Sequence, residues 1–118
     1  MVSVTDLNQQ DVREEISREI HQIYEESYGK GAASAEALVG DGWVIVILDQ
    51  VELLPNEEFL VDNGEYDAVA RVRSQYQLAI QAPLRAAVER ATGRKVTGFA
   101  STTSVDEPRF AVEIFKLE

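Results

Sequence analysis

The chain has 118 residues, of which 45% are apolar, and a formal net charge of −10. This length suits one domain with a sizeable core, and the acidic balance disfavours nonspecific binding to nucleic acid or to an anionic membrane. The lack of cysteine excludes disulfides and thiolate metal sites and fits a reducing compartment. We find no signal peptide and no long apolar run, so we expect one cytoplasmic domain over residues 1–118 without membrane insertion.

The first predicted element is an amphipathic helix over residues 7–27. Asp6 and Gln9 form a possible capping box at its start, and Gly29 supplies the left-handed residue that ends it. Apolar residues recur through it at helical spacings of three and four: Val12, Ile16, Ile20, Ile23 and Tyr24.

A hairpin of two strands is predicted next. Residues 34–39 are extended in character, and the Asp41-Gly42 pair is a strong turn signal between two such runs. Residues 43–48 are apolar without alternation and rich in β-branched side chains. This pattern is typical of a central strand that is covered on both faces.

Two helical segments follow the hairpin. Pro55 predicts the start of a short helix that ends near residue 61, before Asn63-Gly64. A longer helix is predicted over residues 65–92, but Pro83 lies inside it. Because proline lacks an amide proton and clashes with the preceding turn, we predict a kink near residues 79–83, with two separate helices as the alternative.

Residues 95–101 and 109–117 are predicted to form the last two strands. In the final strand Phe110, Val112 and Ile114 lie on one face, while Arg109 and Glu113 lie on the other. At its end Phe115 and Leu117 add apolar surface to this second face. The resulting order is helix, strand, strand, helix, strand, strand, with short connections within each strand pair. We therefore predict an α+β fold with a four-stranded antiparallel sheet in the spatial order 1-2-4-3.

The predicted sheet carries more apolar surface than helices on one face can cover. We expect the second face to mediate homodimerisation. The alternative is a three-layer monomer with a helix on each face. The residues assigned to the dimer face are Val44, Val46, Phe99, Phe115 and Leu117.

No catalytic, cofactor or metal-binding constellation is present in the sequence. His21 is the single histidine, and no base lies beside the hydroxyl-rich run of residues 101–104. Basic residues accumulate between residues 71 and 95. Three of them, Arg90, Arg94 and Lys95, lie at a predicted helix C-terminus, where cations commonly bond the last carbonyls. An alternative is a small-anion or small-ligand site at Arg71, Arg73 and Arg94. We expect a non-enzymatic accessory or regulatory domain, with ligand sensing as the second hypothesis.

Several short segments, taken in order, resemble a small bacterial family of unknown function, the MpsC-like family. They are Tyr28-Gly29-Lys30-Gly31, Gly40-Asp41-Gly42, Leu48-Asp49-Gln50-Val51-Glu52-Leu53-Leu54-Pro55 with Glu57, Thr92-Gly93-Arg94-Lys95-Val96 and the closing Phe115-Lys116-Leu117-Glu118. The likeness covers about residues 12–118. The chain departs from the family at Ala32, where proline is common, and at Leu54, where threonine is common. The resemblance implies a link to a sodium- or bicarbonate-linked membrane system and supplies no catalytic residues.

Overall fold

The computed structural model describes residues 4–118, with side chains from Gln9 onward, so the side chain of Asp6 lies outside the described part. The first helix begins at Val4 and includes Asp6, so its predicted start at residue 7 after a cap at Asp6 is wrong. The predicted α+β class and the order of elements are confirmed. The elements are α1 (Val4–Tyr28), β1 (Ala32–Gly40), β2 (Trp43–Val51), α2 (Pro55–Asp62), α3 (Tyr66–Ala79), α4 (Gln81–Thr92), β3 (Val96–Ser104) and β4 (Phe110–Leu117).

The four strands form one antiparallel sheet in the order β1-β2-β4-β3, as predicted. In the central pair Val44 lies opposite Phe115 and Val46 lies opposite Glu113. The two interior strands are those whose sequences are apolar on both faces. Helices cover only one of these faces within the described residues, so the expectation that β2 is covered on both faces is wrong.

The predicted long helix is divided into two, so the alternative of separate helices is correct and the kinked helix is wrong. α3 ends at Ala79 and α4 starts at Gln81, with Ile80 between them at φ −99° and ψ 10°. Pro83 stands four residues after Ala79, and its ring would clash with the carbonyl of that residue in a continuous helix. At the other end Gly93, at φ +69°, ends α4 as predicted.

The helices that build the main core lie on one side of the sheet, which we call the covered face. Ile16, Ile20 and Tyr24 of α1 join Leu84 and Val88 of α4 in this core. The sheet contributes Ala37, Val44, Val46, Leu48, Ala111, Phe115 and Leu117. α1 therefore packs on the same side as α4, and the arrangement with one helix on each face is not observed.

The assignment of residues to the dimer face was wrong in its register. Val44, Val46 and Phe115 are fully buried and Leu117 is only 6% exposed, all beneath the helices. Phe99 packs against Phe115 on the same side, with ring centroids 5.3 Å apart. In strands that are apolar on both faces, hydrophobicity does not decide which set of alternate residues meets the helices.

Candidate functional site

The opposite side of the sheet, which we call the open face, has no helix over it in the described part of the chain. Its centre consists of the half-buried side chains Ile45, Ile47, Val112 and Ile114. At its margins Leu38, Trp43 and Phe110 are 44%, 47% and 38% exposed. An apolar patch of this kind on a sheet is typical of an association surface.

Charged side chains stand at opposite ends of the open face. Lys116 lies across from Trp43 at one end, with its Nζ 4.5 Å from the centre of the indole ring. Asp49 lies across from Phe110 at the other end. All four of these side chains are exposed. A two-fold axis that runs across the strands at the middle of the face would place the basic end of one copy over the acidic end of another.

A buried ion pair lies on the covered side, where α1, α2 and α3 meet. Arg73 is fully buried, and its Nε and Nη2 donate to the two carboxylate oxygens of Glu57 at 2.8 and 2.7 Å. Its Nη1 donates to the Tyr24 hydroxyl at 2.5 Å, and its guanidinium carbon lies 4.2 Å from the ring centre of Tyr28. The arginine thus joins three helices through one planar group.

The electrostatics of this pair keep both partners ionised. Burial by itself would raise the pKa of Glu57, but hydrogen bonds from Arg73 and from the Leu54 amide outweigh it and lower that pKa. Burial likewise works against the Arg73 charge, yet the bond to Glu57 leaves its pKa raised. For Tyr24 burial dominates and raises the phenol pKa to about 12. The group is therefore a structural clamp of fixed charge at neutral pH.

Glu113 is a second buried polar group on the covered face. It is fully buried, and neither carboxylate oxygen has a hydrogen-bond partner among the described residues. Burial raises the pKa of Glu113 to about 8, and the Ser101 hydroxyl directly opposite on β3 counters this only in part. The side chain is therefore largely protonated at neutral pH. The alternation of the sequence groups Glu113 with Arg109, Phe115 and Leu117 on one face of β4, and the structure buries that face at Glu113 and Phe115.

The three arginines proposed as an anion site do not form one. Arg73 is enclosed by the clamp, whereas Arg71 is exposed. Residues two apart diverge by about 200° around a helix, so these two side chains point to opposite sides of α3. Arg94 follows the end of α4, where its Nε donates to the Glu118 carbonyl at 3.0 Å. The spacing of Arg73 four residues after Val69, on the buried stripe of α3, is the sequence signal for its internal role.

His21 has a structural contact as well. Its Nε2 donates to the Ala32 carbonyl at 2.8 Å, which ties α1 to the start of β1. Among residues 4–118 no group of three or more histidine and acidic side chains is placed to hold a metal ion.

The fold and its two faces define a small α+β domain with a one-sided helical layer and an apolar open sheet. The chain belongs to the family described as "Na+-translocating membrane potential-generating system (MpsC)", whose model matches residues 8–118. No curated protein and no solved structure matches the chain. Within the described residues no helix has both the length and the apolar character needed to cross a membrane.

Proposed function

We propose that this chain is a non-enzymatic, cytosolic assembly module that acts as a homodimer joined through the open faces of two sheets. The observation that carries the proposal is the apolar centre of Ile45, Ile47, Val112 and Ile114 with no helix over it. The family description supports a role as an accessory or regulatory component of a sodium-ion-translocating system.

The open face is just large enough for a specific interface between two copies. Four strands at a spacing of about 4.8 Å, each eight residues long at about 3.3 Å per residue, cover roughly 500 Å² per copy. Two copies would bury roughly 1,000 Å², which is about the lower limit for a specific interface. The self-complementary positions of Lys116 and Asp49 favour a stacking in which the strands of the two sheets run antiparallel.

Light scattering coupled to size-exclusion chromatography at micromolar concentration tests this proposal. We expect the wild type to associate and Ile45→Lys to weaken face-to-face pairing at least about tenfold, because a lysine in the apolar centre must lose its hydration. Leu78→Lys is the matched control, since Leu78 is 56% exposed on α3 and lies off the sheet. A wild-type chain that stays monomeric, or an Ile45→Lys variant that associates like the wild type, would contradict the proposal.

A further inference from the structure

The outer edge of β3 carries backbone groups that no other strand of the described chain uses. β3 ends the sheet order, so only its inner side pairs with β4. The Leu117 amide donates to the Gly42 carbonyl, which shows that odd residues of β4 bond toward β2 and even residues toward β3. By the alternation of antiparallel ladders, the N–H and C=O groups of Phe99, Ser101 and Thr103 point outward.

The other edge of the sheet is protected. At β1 the outward amide of Ala37 donates to the Ser17 hydroxyl at 3.0 Å, and His21 donates to the Ala32 carbonyl. Glu36 adds a charge in the middle of that strand. Natural sheets shield their edges by such means to prevent unwanted strand pairing.

β3 has few of these protections. No charged residue occurs between Lys95 and Asp106, and the strand is rich in threonine and serine. Its one irregularity is a shift of register between Val96 and Gly98, at the end of the strand. The stretch from Phe99 to Ser104 is therefore regular and uncharged, and although α3 packs against β3, the strand lacks the charges and bulges that discourage pairing with another strand.

We propose that the outer edge of β3 pairs antiparallel with β3 of a second copy, which makes one continuous eight-stranded sheet. Ser101 would lie on the two-fold axis and Phe99 opposite the partner's Thr103, so that all outward groups meet in about six backbone hydrogen bonds. Lys95 lies at one end of β3, and Asp106 and Glu107 lie just beyond the other. Antiparallel pairing therefore brings opposite charges together, whereas parallel pairing would bring like charges together.

The edge pairing and the face pairing of the proposed function are compatible. Ser101, Glu113 and Val46 lie side by side across the sheet. This level is the middle of the apolar centre, because Ile45 and Ile114 lie one residue to one side of it and Ile47 and Val112 one residue to the other. The two-fold axis that relates the paired edges is perpendicular to the sheet. The two-fold axis that relates the stacked faces is parallel to the sheet and runs across the strands, so the two axes can intersect at this level. Such a pair of axes generates a closed tetramer with D2 symmetry. The tetramer rests on the proposed function, but the edge pairing does not.

Substitution of Thr103 tests the edge interface independently of the face interface. Proline at this position removes the outward N–H without removing a bond to β4, and edge positions tolerate proline. Thr103→Ala is the matched control because it keeps the N–H. In light scattering we expect a tetrameric wild type, dimers for Thr103→Pro and for Ile45→Lys, and a monomer when both changes are combined.

The outcomes distinguish the two proposals. A wild-type mass retained by Thr103→Pro would overturn the edge pairing, and one retained by Ile45→Lys would overturn only the face pairing. Hydrogen exchange of the wild type provides a test without substitutions. The amides of Ser101 and Thr103 should exchange more slowly as protein concentration rises, while that of Ala35 on the β1 edge should not change. Equal concentration dependence at both edges would contradict the proposal.

Discussion

At the scale of single residues, Glu113 is the group whose position has the largest consequence for stability. Its carboxyl is fully buried without a hydrogen-bond partner, between Val46 of β2 and Ser101 of β3 in register. A carboxylate in such surroundings is costly, whereas the neutral acid is tolerated. The positive charge of Arg73, by contrast, is neutralised by the carboxylate of Glu57, and neither group changes its protonation state near neutral pH.

The stability of the fold should therefore fall as pH rises toward 8. The pKa of Glu113 in the folded chain is about 8, above the value of about 4.3 for an unfolded glutamate. The folded state thus holds one more proton over this interval, and the free energy of unfolding should decrease by about 1.4 kcal/mol per pH unit until the folded pKa is passed.

Glu113→Gln should remove that slope and be more stable than the wild type at about pH 8, because glutamine cannot ionise. Chemical denaturation at several pH values and one protein concentration measures the effect. Glu36→Gln, at an exposed position of the edge strand β1, is the control and should keep the wild-type slope. Parallel slopes for the wild type and Glu113→Gln would show that Glu113 is ionised in the folded chain.

At the scale of elements, β2 shows how one strand serves two surfaces. Val44, Val46 and Leu48 are buried under the helices, while Ile45 and Ile47 point to the open face. The composition of the two sets is nearly the same, so position along the strand alone decides whether a side chain supports the monomer or the assembly.

The same substitution at adjacent positions of β2 should therefore have very different effects on the stability of the monomer. Val46→Lys places a charge in the core and should destabilise the monomer by more than about 3 kcal/mol. Ile45→Lys should leave monomer stability within about 1 kcal/mol of the wild type, because its side chain reaches solvent. Urea unfolding at concentrations below the association range compares the two variants. A larger loss for Ile45→Lys would reverse the assignment of the faces.

At the scale of the whole molecule, association must overcome charge repulsion. Each copy carries a net charge of −10, and stacking brings these charges together. The ion pair expected between Lys116 and Asp49 works in the other direction, but exposed pairs contribute little. Repulsion should thus dominate the dependence on salt.

Raising the ionic strength from about 0.03 M to about 0.3 M shortens the Debye length from roughly 18 Å to roughly 6 Å and should strengthen association. Sedimentation velocity at a fixed protein concentration would show the fraction of assembled chains increasing with salt. Glu36→Gln, which removes one negative charge per copy at the margin of the open face, should weaken this dependence. Dissociation by added salt would instead indicate that ion pairs hold the interface together.

Local patterns in the sequence were sufficient for the elements and for their order in the sheet. The stripe from Val12 to Tyr24 predicted α1, Asp41-Gly42 predicted the hairpin, and apolar character on both faces placed β2 and β4 inside. These features depend on neighbours a few residues apart, so they can be read along the chain. The break at Ile80 was foreseen only as an alternative, because proline permits either a kink or an end to the helix.

The sequence by itself thus determined the fold class, the strand order and the MpsC-family membership that the match over residues 8–118 confirms. Only the tertiary structure decided which face the helices cover, that Arg73 pairs with Glu57, and that Glu113 is buried. The physical reason is that hydrophobic periodicity fixes which residues share a face but not which face meets a distant helix. That choice depends on packing between segments far apart in sequence, and it is what leaves Ile45, Ile47, Val112 and Ile114 on the open side.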